Sequence, residues 1–257
     1  MSSTLKGKIA LVTGASRGIG RAIAESLGRD GALVAVHYGK NRSAADDVVA
    51  AIKKGGGDAF AVGADLNIKG AAKTLFAALD RELKARTGDV TFDILINNAG
   101  IAPFVGFAET SEDQFDEIYT VNVKSLFFIT QEASKRLRDG GRIVSTSTGA
   151  VRQPFGSVAA YSMLKAPLDN LTKTLAVEFG PRSITVNAVA PGVIETDMAA
   201  FVKSADGEAF ALSKQALKRV GQPDDIAGVV RFLASAGGGW VTGQTIEATG
   251  GTGLTFA

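Results

Sequence analysis

Short apolar runs alternate with longer amphipathic stretches along nearly the whole chain. The runs at Ile9–Val12, 33–36, 59–62, 94–96, 143–145, 185–189 and Thr245–Ala248 are rich in Val, Ile and Ala. Such brief, continuously apolar segments read as strands buried on both faces. Between them, apolar positions recur at helical spacing near 18–28, 43–54, 68–86, 113–138, 158–179 and 223–235. The stretch 197–217 reads as one more helix or as a flap. Glycines mark the expected helix ends: Gly28 and Gly31 after the first, Gly55 to Gly57 after the second, Gly140 and Gly141 after the fourth, and Gly180 with Pro181 after the fifth. Asp113 and Pro223-Asp224-Asp225 read as helix starts with acidic first turns. This alternation predicts an α/β fold: a Rossmann-like, doubly wound parallel sheet of about seven strands with helices on both faces. No linker, repeat or low-complexity tail interrupts it, so one domain is expected over 1–257. Right-handed crossovers put the strand C-terminal ends on one edge, where ligands bind.

Composition removes several kinds of chemistry. The chain has no cysteine and one histidine, His37. Disulfides, thiolate nucleophiles and cysteine-ligated metals are excluded, and no metal site is expected. The net charge is only +2, which does not point to nucleic acid. No apolar run approaches the roughly 18 residues of a membrane span, and the apolar stretch after Lys6 and Lys8 is too short for a signal peptide. The expectation is a cytoplasmic protein with no membrane partner and a small-molecule substrate.

The segment Thr13-Gly14-Ala15-Ser16-Arg17-Gly18-Ile19-Gly20 follows the first strand and opens a helix. Gly14, Gly18 and Gly20 suit a tight turn, close approach of backbone to a pyrophosphate, and tight packing of helix on strand. The free N–H groups of Ser16 to Gly20 at the helix start would hold the phosphates. A glycine triplet alone also serves a plain turn, but its place between strand and helix favours a dinucleotide. An acid about 20 residues on would accept from the adenosine ribose 2′-OH. Here the chain reads Val36-His37-Tyr38-Gly39-Lys40-Asn41-Arg42, with no acid before Asp46. Lys40, Arg42 and Arg17 offer positive charge instead, which favours NADP over NAD. His37 reads as an adenosine neighbour rather than a catalyst.

Tyr161 and Lys165 are four residues apart, on one face of a helix. A nearby ammonium favours the phenolate, so such a tyrosine can act as general acid or base. That pair is common by itself. Here it occurs in order with the glycine turn, Asn97-Asn98-Ala99-Gly100, Asn122, hydroxyls at Ser145 to Thr148, and Pro191-Gly192. Over Lys8 to Gly251 the chain resembles a short-chain dehydrogenase/reductase. Within that family it is most similar to 3-oxoacyl-carrier-protein reductases, given Ile184 to Asn187, Ala190 to Gly192, Glu195 to Met198 and Val241 to Gln244.

The resemblance implies an oxidoreductase that moves hydride between NADP(H) and a carbonyl or secondary alcohol. It gives Tyr161 the proton, and gives Lys165 the lowering of the tyrosine pKa and a grip on the nicotinamide ribose. Asn122 would hold a relay water. Asp65 and Leu66 would meet the adenine, Asn98, Ala99 and Gly100 the ribose, and Pro191, Gly192, Val193, Ile194 and Thr196 the nicotinamide. His37, Tyr38, Gly39, Lys40 and Asn41 would surround the adenosine ribose. The family's carbonyl-polarising serine stands 13 residues before the tyrosine, where this chain has Thr148. Thr148 is the expected hydroxyl, and Ser147, shifted by a bulge, is the alternative. The basic residues by which carrier-protein reductases dock their partner fall at Ala133 and Val177, with Lys135, Arg136 and Lys173 only nearby. The resemblance further implies a homotetramer and a substrate flap near 195–217, with Phe104, Phe107, Phe155, Phe201 and Phe210 around it. The rival readings are an NAD-dependent alcohol or sugar dehydrogenase on this fold, and a nucleotide-binding sensor or scaffold with little catalysis.

Overall fold

The computed structural model describes residues 5–254, so the outermost ends of the expected 1–257 domain lie outside the described residues. Its centre is a seven-stranded sheet in the order β3-β2-β1-β4-β5-β6-β7. The strands are β1 Ile9–Val12, β2 Leu33–Tyr38, β3 Asp58–Gly63, β4 Phe92–Asn97, β5 Leu137–Thr146, β6 Thr185–Pro191 and β7 Thr245–Ala248. All pair in parallel. Every residue of β1 and β4 is buried, as central strands covered on both faces require.

Strand alternation divides the core in two. Ala10 and Val12 of β1 pack with α1 Gly18–Arg29, α2 Arg42–Lys54 and α9 Pro223–Ala234. Ile9 and Leu11 face α3 Ala71–Thr87, α5 Ser125–Ser134 and α7 Pro167–Phe179 on the other side. Each fully buried Leu or Ile contributes about 1.5–3 kcal/mol. The chain crosses to opposite sides of β1 on either side of it, so the C-terminal ends of β1 and β4 open a crevice there.

Two long expected helices are broken. The stretch 113–138 forms α4 Glu112–Tyr119, a π-helical turn Thr120–Lys124, and α5, which ends at Ser134. Gly140 and Gly141 do not stop that helix; they lie inside β5. Gly140 has φ +74, and a Cβ on Gly141 would stand 2.9 Å from the Arg138 carbonyl oxygen. The register against β4 shifts there, from Phe92 paired with Leu137 to Ile94 paired with Arg142. A bulge and a helix cap both call for glycine, so the residue type alone did not separate them. The stretch 158–179 divides into α6 Ala159–Lys165 and α7, because Pro167 has no N–H to continue the first helix. Residues 197–217 form a 3-10 run Asp197–Lys203, kinked at Ala199, and then α8 Ala205–Lys214.

Candidate active site

The glycine turn is held from both sides. Gly14 and Gly18 have φ +62 and +55, a region that side chains disfavour. The Gly14 N–H donates to His37 Nδ1 at 3.0 Å, and its carbonyl accepts from Asn98 Nδ2 at 3.1 Å. A Cβ on Gly20 would overlap both the Gly14 carbonyl oxygen and Asn98 Nδ2. Arg17 caps α1 with backbone alone, so no side chain competes for the first-turn amides. The groove under the turn therefore fits a pyrophosphate: bare backbone, helix amides, and no room for side chains.

At the end of β2 the expected adenosine residues divide. The His37 side chain turns into the protein and away from the open crevice. It is 1 % exposed, and its Nε2–H donates to the Ala64 carbonyl at 3.0 Å. Burial pushes its pKa down to about 4. Lys40 is exposed and reaches Asp65 Oδ2 at 3.5 Å, while Arg42 pairs with Asp46. Asn41 spends its carbonyl on the N-cap of α2, and the Tyr38 ring covers Gly63. Asp65 also accepts from the Asn67 N–H at 3.0 Å, so its carboxylate builds a turn. Leu66 is buried in the core beside α3. Two cations thus stand at the strand end, and of the two acids on α2, Asp46 and Asp47, the first is paired with Arg42.

Tyr161 and Lys165 lie one turn apart on α6. The Thr148 hydroxyl stands close enough to the Tyr161 hydroxyl to oppose a rise in its pKa, and it accepts from the Ala150 N–H at 3.2 Å. Ser147 instead donates to Asp169 Oδ1 at 3.3 Å. The Ser147 N–H continues the ladder to the Val189 carbonyl at 2.8 Å, so no bulge moves Ser147 toward the tyrosine. Lys165 is buried, donates to the Thr146 carbonyl at 2.9 Å, and is pushed down to about 8 by burial. Burial also raises the Tyr161 pKa, with the Thr148 hydroxyl opposing it. The expected lowering by Lys165 does not appear; burial sets the direction, because removing a phenolate from water costs more than the Thr148 hydroxyl returns.

Asn122 sits in the π-helical turn with its amide fully engaged. Its Oδ1 accepts from the Ile101 N–H at 2.9 Å and its Nδ2 donates to the Ile101 carbonyl at 2.8 Å. A Cβ on Gly100 would meet Asn122 Oδ1 at 3.0 Å and Lys165 Nζ at 3.4 Å. The Asn122 side chain therefore fastens the 100–101 segment beside Lys165. Across the crevice, a Cβ on Gly192 would approach Thr249 Cα to 2.8 Å, and one on Gly18 would touch Thr196 at 3.4 Å. Gly192 to Thr196 thus close over the glycine turn, where Arg17 also reaches Asp197 at 3.5 Å. Val193 and Ile194 hold this segment against Gly221.

A family model described as enoyl-(acyl carrier protein) reductase matches residues 14–253. The chain is 41% identical over 259 residues to versicolorin reductase 1 of Aspergillus parasiticus, covering 96% of this chain and 97% of that one. It is 38% identical over 264 residues to tetrahydroxynaphthalene reductase of Pyricularia oryzae, covering 97% and 91%. The chain belongs to the short-chain dehydrogenase/reductase family. Among solved structures, angucycline C-6 ketoreductase LanV with bound NADP superposes with a TM-score of 0.95 at 44% identity, over 98% of each chain.

This short-chain dehydrogenase/reductase gathers an aromatic cluster at the same edge of the sheet. Phe104 stacks on Phe155 with centroids 6.4 Å apart, and Phe201 meets Phe104 edge-on at 5.9 Å. The three come from the loop after β4, the loop after β5 and the 3-10 run Asp197–Lys203. Phe107 stands out in solvent, and Phe210 lies under Lys214, so these two do not join the cluster. Beside it, Pro103, Val105, Ile118 and Val158 line a small cavity that reaches Tyr161. Two structural residues escaped sequence reasoning. Thr13 Oγ1 accepts from the N–H groups of Asn98 and Ala99. Asp169 collects Ser147, Arg152 and Thr245. Thr13 was visible as part of the glycine motif; Asp169 carried no signal.

Proposed function

We propose that the chain is an NADPH-dependent ketoreductase acting on a ketone carried by a flat aromatic ring system. The observation that carries this reading is the buried Thr148 hydroxyl beside the half-buried Tyr161, with Lys165 buried one turn on and the aromatic cluster nearby. Versicolorin reductase and tetrahydroxynaphthalene reductase, whose names denote aromatic substrates, support it, as does the NADP held by LanV. NADPH, when bound, supplies the hydride. The bare amides of residues 16–20 hold its phosphates, and Lys40 and Arg42 meet the charge of its 2′-phosphate. Thr148 donates to the substrate carbonyl oxygen, and Tyr161 gives that oxygen its proton. Burial keeps Tyr161 protonated near neutral pH, which is the state a proton donor needs. Lys165, still a cation below about 8, offsets the phenolate charge that develops.

A carrier-bound acyl thioester fits less well. Ala133 is buried and Val177 is an exposed aliphatic residue. Nearby, Lys135 pairs with Glu132 at 2.8 Å and Arg136 grips Asp80 with two 2.8 Å bonds. These cations serve their own fold. A homotetramer in the cytoplasm completes the proposal. Phe127 and Phe128 on α5, Val177 on α7, and Trp240 before β7 are exposed apolar residues on the elements that would pair. The remaining domain reading is a single catalytic unit in which 195–217 acts as the flap.

The test is NADPH oxidation, followed by absorbance, against hydroxylated naphthalenones and anthraquinones, with acetoacetyl thioesters as comparison. Turnover of the aromatic ketones with NADPH above NADH, lost in Tyr161→Phe, is expected. Faster turnover of the thioesters, or a preference for NADH, would overturn the corresponding half of the reading.

A further inference from the structure

We propose that His37 is a positioning residue for the cofactor: its neutral ring ties Gly14 of the glycine turn to Ala64 at the end of β3 and so holds the phosphate-binding conformation of residues 14–20. The proposal rests on the NADPH reading of that turn. Both ring nitrogens are committed. Nδ1 lies 3.0 Å from the Gly14 nitrogen, which can only donate. Nε2 lies 3.0 Å from the Ala64 carbonyl oxygen, which can only accept. Only the neutral Nε2–H tautomer satisfies both. The main chain of His37 adds a third tie, accepting from the Ala15 N–H at 2.8 Å.

Gly14 is consequently locked at both of its polar groups, by His37 on the N–H and by Asn98 on the carbonyl. Its positive φ leaves the peptide free to rotate if either tie is lost. Rotation there would re-aim the amides that follow it, which meet the phosphates. Burial strengthens the demand, since a buried N–H without an acceptor is costly. The ring touches neither hydride nor carbonyl, so its loss should weaken cofactor binding and leave the chemical step intact.

Two substitutions separate the ties. In His37→Asn the amide oxygen takes the place of Nδ1, keeping Gly14 and losing Ala64. In His37→Gln the amide nitrogen takes the place of Nε2, keeping Ala64 and losing Gly14. NADPH affinity, read by fluorescence titration, should fall roughly five- to a hundredfold in His37→Gln and much less in His37→Asn. The KM for NADPH should follow, with kcat at saturating NADPH retained in both. Equal affinity in the two variants and the wild type, or a lowered kcat with unchanged KM, would overturn the proposal. A wild type that binds no NADPH would overturn the functional reading along with it. A third measurement needs no variant. His37 is the only histidine in the chain, so nitrogen NMR of labelled histidine reads this ring alone. A pyrrole-like Nε2 and a pyridine-like Nδ1 are expected at neutral pH; the opposite tautomer or a charged ring would overturn the proposal even if both variants failed to fold.

Discussion

Acidification from pH 7 to pH 5 should destabilise the protein chiefly through His37. The native value is about 4 and the unfolded value 6.5, the difference arising from burial and opposed in part by the bond to Ala64. Between those values the unfolded chain binds a proton that the native ring refuses, so stability rises with pH in that window and falls as pH drops through it. The loss between pH 7 and pH 5 comes to about 2 kcal/mol. Urea unfolding followed by circular dichroism, at fixed protein concentration, gives the measurement. With a slope near 3 kcal/mol per molar, the midpoint should move down by about 0.6 M. In His37→Gln and His37→Asn nothing titrates at this position, and the shift should disappear. The carboxylates held below their usual range, Asp89, Glu132 and Asp225, lose stability only at lower pH and do so equally in all three proteins. A midpoint shift of the same size in wild type and variants would refute the reasoning, because the ring would then be titrating as freely when folded as when unfolded.

Three further outcomes follow from the site. Thr148→Ala should lower kcat by about 100-fold, the scale of a lost carbonyl-stabilising donor, whereas Ser147→Ala should change stability more than turnover; the reverse ranking in steady-state kinetics would move the role to Ser147. Gly20→Ala should lower NADPH affinity in fluorescence titration, since its Cβ would displace the Gly14 carbonyl and the Asn98 amide, and unchanged affinity would contradict the packing of the turn. Phe201→Ala should raise KM for an aromatic ketone by roughly two- to tenfold, the worth of an aromatic contact, while KM for acetoacetyl thioester moves less; equal changes would deny the cluster a part in recognition.

The sheet was legible because its strands are continuous apolar runs, and the crevice because the glycine turn stands directly after the first of them. That Tyr161 and Lys165 share one helix face was legible from their spacing, but their reading as a pair came from the order of the motifs around them. The π-helical turn at Asn122 was not, since one extra residue in a turn changes no residue type and hardly disturbs the apolar period. Nor was the direction of the Tyr161 shift, because spacing reports a neighbouring charge and does not report how much water the fold removes. His37 is the more instructive case. Its distance from the glycines matched an adenosine contact, and that reading overlooked strand parity. In β2, Leu33, Ala35 and His37 share one face, and Leu33 and Ala35 are apolar. A histidine on that face, beneath a covered sheet, has to find two partners inside the protein. The nearest unpaired backbone groups at a strand end are those of the adjoining turns, which is where its two nitrogens go. Proximity to the cofactor and contact with it thus diverge at this residue: parity decides which way the ring points, and the ring points at the turn.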